Sequence, residues 1–218
     1  YIHNAGVLHP GPLLFELAEE LFLEVLEANL LAGYQLARFA YPVLRRKGEG
    51  LAVYVGSGAA ESNLPGIGAY AVAKAAEEHL ARQLAAEAPE VACFVYRPGV
   101  VETEMQRQAR EAQGSAAAVL HRVFRSYKEE GLLLTPEETA KALVRLAPPE
   151  LVLTEIPIKD LPLYSPDFDA DYPPVARALK QSIADVDAVL FVTPEYNRSI
   201  PGGLKNAIDW ASRPWGKN

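Results

Sequence analysis

An α/β fold with a mostly parallel sheet is what this sequence predicts, and three observations predict it. Apolar residues recur at helical spacing, with acids opposite, in "PLLFELAEELFLEVLEANLLAGYQLARFAYPVL". The short apolar run "GLAVYVGS" suits a buried strand, and "EVACFVYRPG" follows the next helix as a second strand. The two kinds of segment alternate along the chain, which implies βαβ units with right-handed crossovers.

The long amphipathic helix comes first and leads into the strand "GLAVYVGS". The stretch "GAYAVAKAAEEHL", residues 68 to 80, is rich in alanine, has high helix propensity and leads into "EVACFVYRPG". A helical region through "HRVFRSYKEEG" precedes "TPEETAKALVRLA", where Thr135 and Glu138 have the spacing of a capping box. After Pro148 and Pro149 come "LVLTEIPI", a Pro- and Asp-rich loop, the helix "PVARALKQSIADV", the strand "DAVLFVT" and "LKNAIDWAS". A junction near Pro149 and Glu150 divides the chain into segments 1–150 and 151–218, with no internal repeat in either.

Composition narrows the classes of function. The chain has 218 residues, 50% hydrophobic and 22% charged, enough to bury the core of one large domain or two small ones. A net charge of −7, with no basic cluster longer than Arg45-Arg46-Lys47, argues against a nucleic-acid partner and for small-molecule or protein partners, a small-molecule substrate among them. Cys93, in "VACFVY", reads as a small buried hydrophobe of a reducing compartment. No apolar stretch reaches the length of about 18 residues that a membrane helix needs, and no signal-peptide pattern opens the sequence. The expectation is a cytoplasmic protein with no membrane partner, for which a homo-oligomer stays open. His3, His9, His79 and His121 lack ligand spacing, and His79 suits a helix surface, so no metal is expected.

Tyr70 and Lys74 stand four positions apart, so the helix presents phenol and ammonium side by side. Spacing alone is explained as well by a solvated helix face, and the surroundings decide. Ser57 ends a strand, at the carboxyl edge where open α/β sheets bind ligands, thirteen residues before Tyr70. Asn4-Ala5-Gly6 follows a strand-like start, Asn29 lies inside the long helix, and "RPGVVET" closes the next strand. In this order and spacing the set resembles the short-chain dehydrogenase/reductase family, over roughly residues 1–147.

The resemblance implies a Rossmann-like three-layer fold and hydride transfer between NAD(P)(H) and a carbonyl or alcohol. Such chemistry needs a proton donor at the substrate oxygen, and a phenol with a reference pKa near 10 is a poor base at neutral pH. A neighbouring ammonium favours the phenolate and is expected to lower that pKa. By resemblance, Tyr70 is the acid/base, Lys74 tunes it and bonds the nicotinamide ribose, Ser57 holds the substrate oxygen and Asn29 supports a water relay to Lys74. Asn4, Ala5 and Gly6 become a wall of the cofactor site, with Pro98, Gly99, Val101 and Thr103 near the carboxamide. Gly56-Ser57-Gly58 only imitates a phosphate loop, because Glu61 takes the third glycine position and the helix waits until about Ala69. The family's own glycine fingerprint does not occur in the sequence.

"KDLPLYSPD" and then "DAVLFVTPEYNRSIPGGLKNAIDW" resemble the flavodoxin-like NADPH-dependent FMN reductase family, over roughly residues 151–215. That resemblance sets Pro194, Glu195, Tyr196 and Asn197 against the flavin ring of FMN, without the family's first strand and its phosphate loop. Tyr164, Phe168 and Tyr172 suit loop packing better than a ligand cover. Three functional expectations result: carbonyl/alcohol oxidoreduction at Tyr70; flavin-mediated reduction of a quinone or similar acceptor at residues 194–197; or a recombined, engineered or incomplete chain that folds without turnover.

Overall fold

The computed structural model describes residues 1–48, 50–145, 152, 154–186, 189 and 200–213. They form an α/β structure divided into two compact units, Tyr1–Pro148 and Pro149–Asn218. None of the described helices is long and apolar enough to cross a membrane.

In the first unit, β1 (Ile2–His3), β2 (Leu51–Val55) and β3 (Ala92–Tyr96) make a parallel sheet in the order β1-β2-β3. Ile2 stands opposite Val53, and Val53 opposite Phe94. Since the three strands run the same way, the loops that begin at Asn4, Gly56 and Arg97 leave the sheet at one edge. The central strand is the driest. Ala52, Val53 and Tyr54 are buried, and the Tyr54 hydroxyl lies 2.6 Å from that of Tyr1 and donates to the Gly33 carbonyl at 3.2 Å.

The long amphipathic stretch folds as α1 (Glu19–Leu26), a π-helical turn (Glu27–Leu31) and α2 (Ala32–Lys47). Within the π turn the Ala32 N–H bonds back to the Glu27 carbonyl, five residues earlier. Helix α2 ends where Gly48 turns left-handed (φ +74°) behind Arg45, Arg46 and Lys47, whose charges suit a helix C-terminus. The alanine-rich stretch becomes α3 (Gly68–Glu87), and its small side chains let it approach closely. Ala69 and Ala73 pack against Val25 of α1, and Ala81 joins Ala37, Tyr41 and Tyr54 in the core between α2, α3 and the sheet.

Helices α4 (Glu104–Arg110), α5 (Ala117–Glu129) and α6 (Pro136–Arg145) complete this unit. The capping box forms: the Thr135 N–H donates to Glu138 Oε2 at 2.7 Å, and the Glu138 N–H to Thr135 Oγ1 at 3.2 Å. The strip after β3 is tied down by backbone bonds between Leu134 N and Val100 O (2.8 Å) and between Glu102 N and Leu134 O (2.9 Å).

The second unit contains α7 (Pro174–Ala184) and α8 (Gly202–Ser212), closed on Trp210. Trp210 has no exposure; the rings of Tyr164, Tyr172 and Phe168 pack on it, with centroids 5.2, 5.3 and 5.6 Å away, and its Nε1–H donates to the Pro162 carbonyl at 2.7 Å. The aromatic residues of the Pro-rich loop therefore serve packing. Residues 154–158 are irregular, and Pro157 has no N–H to give a ladder. The run "DAVLFVT" at 187–193 lies, apart from Val189, outside the described residues.

Candidate active site

Two chain segments meet at the carboxyl edge of β2. Ser57 follows the strand and caps the short 3₁₀ turn Gly58–Ala60, its Oγ accepting the Ala59 N–H at 3.2 Å. Tyr70 and Lys74 come one turn apart from the start of α3, with the Lys74 Nζ 5.8 Å from the Tyr70 ring centroid. Ser57 lies near enough to the Tyr70 phenol to favour its ionised form. The fold thus brings Ser57, Tyr70 and Lys74 together.

The electrostatics differ from the expectation drawn from spacing. The Tyr70 phenol is pushed above its ordinary value of 10, first by burial, against the opposing effect of Ser57, and further by the Glu77 carboxylate. The expected lowering by Lys74 does not prevail, because that ammonium is already engaged. Its Nζ donates to Glu77 Oε2 at 2.8 Å and to the Val55 carbonyl at 2.9 Å. An ammonium has three N–H groups, and the third has no partner among the described residues.

Asn29 sits in the π turn, fully buried. Its Nδ2 donates to Val25 O at 2.8 Å and to Val7 O at 2.9 Å, while Oδ1 accepts nothing from the described residues. That oxygen faces Gly6, where a Cβ would fall 2.5 Å away, so only glycine fits there. Asn4 and Ala5 are exposed at the end of β1, and Pro98, Gly99 and Val101 follow β3. Gly99 turns left-handed (φ +83°), Val101 bridges to Leu134, and Thr103 stands exposed before α4 without a side-chain cap bond. Pro194, Glu195, Tyr196 and Asn197 lie outside the described residues.

Two adjacent carboxylates were not picked out by sequence reading. Glu77 has no exposure and Glu78 only 3%. Glu78 Oε1 accepts the Ser57 backbone N–H at 3.3 Å and Arg97 Nε at 2.9 Å, and Arg97 also reaches Glu61 at 2.8 Å. Arg97 holds the Glu61 carboxyl below the usual range, and the two carboxylates raise the guanidinium. Glu77 could have been noticed, since the i, i+3 interval from Lys74 sets it on the same helix face. Its second partner, His3, gave no local signal.

Gly56 is wedged in this cluster: a Cβ there would lie 2.5 Å from both Glu78 Oε1 and Val95 Cγ1. Gly56→Ala is expected to destabilise the first unit by about 1–3 kcal/mol, as overpacking of a filled site does, and to displace Ser57. Urea unfolding followed by circular dichroism measures it, and an unchanged midpoint would mean that the site has slack.

A nicotinamide cofactor can be tested against these features. An ammonium N–H without a partner among the described residues, a phenol near a serine, and the turn of half-buried Pro98 and exposed Gly99 on the same sheet edge fit the ribose and ring half of such a molecule. Lys74 would hold a ribose hydroxyl there.

The model of the short chain dehydrogenase family matches residues 1–114, just over half of the 218. The chain belongs to that family. The model of NADPH-dependent FMN reductase matches residues 135–218. The two matches therefore leave a shorter first stretch than 1–147 and a longer second one than 151–215. Helix α6 falls inside the flavin-family match while belonging, in the fold, to the first compact unit.

Among solved structures, the KRED1-Pglu enzyme superposes with a TM-score of 0.59 at 31% identity, over 68% of this chain and 63% of that one. A short chain dehydrogenase/reductase from Saccharomyces cerevisiae gives 0.55 at 33%, over 62% and 53%. Among curated proteins, the chain is 60% identical over 82 residues to a 2-hydroxy-1,4-benzoquinone reductase of Burkholderia sp, covering 38% of this chain and 45% of that protein. It is 54% identical over 82 residues to a quinone reductase of Pseudomonas putida, covering 37% and 44%. The chain thus spans less than half the length of these two curated relatives.

Proposed function

We propose that the first unit interconverts a carbonyl and an alcohol by hydride exchange with NAD(P)(H), with Tyr70 as the acid/base. The observation that carries this reading is the meeting of Ser57, Tyr70 and Lys74 at the carboxyl edge of a parallel sheet. A reduced nicotinamide, when bound, supplies the hydride to the carbonyl carbon. Tyr70 gives its phenolic proton to the carbonyl oxygen, and Ser57 donates a hydrogen bond to the same oxygen as negative charge grows on it. The Lys74 ammonium stabilises the phenolate left behind, which then regains a proton from solvent, with Asn29 assigned to the water path.

A raised phenol pKa keeps Tyr70 protonated at neutral pH, the form that reduction requires. Carbonyl reduction is therefore expected to be flat across neutral pH, and alcohol oxidation, which needs the phenolate, to rise into the alkaline range. Ser57→Ala should lower kcat about a hundredfold, in line with the loss of one donor to a developing oxyanion. Steady-state oxidation of NADH and NADPH with a panel of ketones checks both, and a Ser57→Ala enzyme with full kcat would remove Ser57 from the reaction.

A second reading concerns residues 135–218 and is favoured by the identity to quinone reductases. In it Pro194, Glu195, Tyr196 and Asn197 would hold the ring of FMN, which when bound would supply electron transfer to a quinone-like acceptor. Flavin fluorescence on titration tests it: quenching that weakens in Tyr196→Ala supports the reading, and no quenching at all removes it.

A further inference from the structure

The Glu77 carboxylate is fully buried, and both of its oxygens are engaged. Oε2 accepts from the Lys74 ammonium at 2.8 Å, and Oε1 lies 2.6 Å from His3 Nδ1. Glu77 has no exposure, His3 2% and Lys74 3%, so three ionisable groups stand in line away from water. His3 comes from the end of β1, whereas Lys74 and Glu77 lie on one face of α3. Gly33 of α2 makes the line possible, since a Cβ there would fall 2.9 Å from His3 Nδ1 and 3.0 Å from the Tyr54 ring.

A buried ion pair is a weak source of stability, because desolvation offsets most of the attraction and apolar residues pack as well. What it supplies here is position. Lysine ends a flexible four-carbon stem, and a carboxylate anchored on its far side by an imidazole gives that stem a fixed partner.

We propose that Glu77 is a positioning residue for Lys74, and His3 the anchor of Glu77, so that the His3–Glu77–Lys74 line holds the ammonium with one N–H left for a ligand hydroxyl. This rests on the reading of Lys74 as the ligand of the nicotinamide ribose. Two of the three ammonium donors are committed by Glu77 and Val55, which limits the rotation of the third. Removing the Glu77 charge frees the stem, and a ligand must then order it on binding.

The test begins on protein without coenzyme. Lysine-ammonium nitrogen–proton NMR spectra should contain a slowly exchanging Lys74 signal, identified by its loss in Lys74→Met. That signal should vanish in Glu77→Gln and in His3→Leu, and return in His3→Asn, whose amide can replace the Nδ1 donor. In steady state, Glu77→Gln should raise the KM for NAD(P)H about tenfold or more and leave the KM for the carbonyl unchanged. A merely destabilised enzyme would lose active fraction and change neither KM.

An unaltered Lys74 signal in Glu77→Gln, or an unaltered coenzyme KM, overturns the proposal. If Glu77→Gln fails to fold, the two His3 variants carry the same test. Failure of the underlying reading looks different: the Lys74 signal would still disappear in Glu77→Gln, while Lys74→Met itself would leave the KM for NAD(P)H unaltered.

Discussion

Tyr70→Phe is expected to lower carbonyl reduction by about a thousandfold and to leave the fold intact, since a positioned proton donor contributes roughly 10²–10⁴ in rate. The hydroxyl lies near Ser57, whereas the ring supplies the packing, on the cluster that contains Leu8, Ile67 and Leu120 and on the one that contains Val25 and Ala73. Phenylalanine keeps that ring. Burial of the phenol also works against its ionised form, so removing the hydroxyl relieves a desolvation cost and should not weaken the unit. Steady-state rates with a responsive ketone, together with a thermal unfolding curve, separate the two effects. Undiminished turnover in the variant would take Tyr70 out of the reaction.

Lys74→Ala should damage both stability and turnover. It leaves the Glu77 carboxylate in a dry site with only His3 for company, and breaking one partner out of a buried pair typically costs about 3–5 kcal/mol. Lys74→Met combined with Glu77→Leu should recover most of that loss, because the charge is gone and the space is filled. The double variant should nevertheless remain inactive, which distinguishes the structural part of the Lys74 effect from its chemistry. Both tryptophans, Trp210 and Trp215, lie in the second segment, so unfolding of the first unit has to be followed by far-ultraviolet circular dichroism. A stable Lys74→Ala protein would mean that water reaches Glu77.

Much of this fold was legible in the sequence because hydrophobic period and small residues carry it. The alanines of α3 announced a helix, though not its close packing, and the buried strand β2 was visible as an uninterrupted apolar run. Their order in the sequence grouped Asn29, Ser57, Tyr70 and Lys74; the fold brings the last three together, while the Asn29 amide bonds to Val7 and Val25. Other features depend on tertiary contact and left no local trace. The pairing of His3 with Glu77 joins positions 74 residues apart, and nothing near His3 foretells it. The direction of the Tyr70 shift could not be read from the adjacent lysine, since it turns on burial and on where the lysine's charge is already committed. The π turn that carries Asn29 was hidden inside a pattern that also suits an unbroken helix.

Direct hydride transfer at the Tyr70 site is tested most directly by following the hydrogen itself. Flavin-free protein is incubated with a ketone and with NADH and NADPH deuterated at either face of C4, and the alcohol is analysed by mass spectrometry. Direct transfer predicts one deuterium on the carbinol carbon from one face only, and none when Tyr70 is Phe. A flavin-mediated route passes the hydride to a nitrogen that exchanges with water, so product formed only after FMN is added and free of deuterium would contradict it.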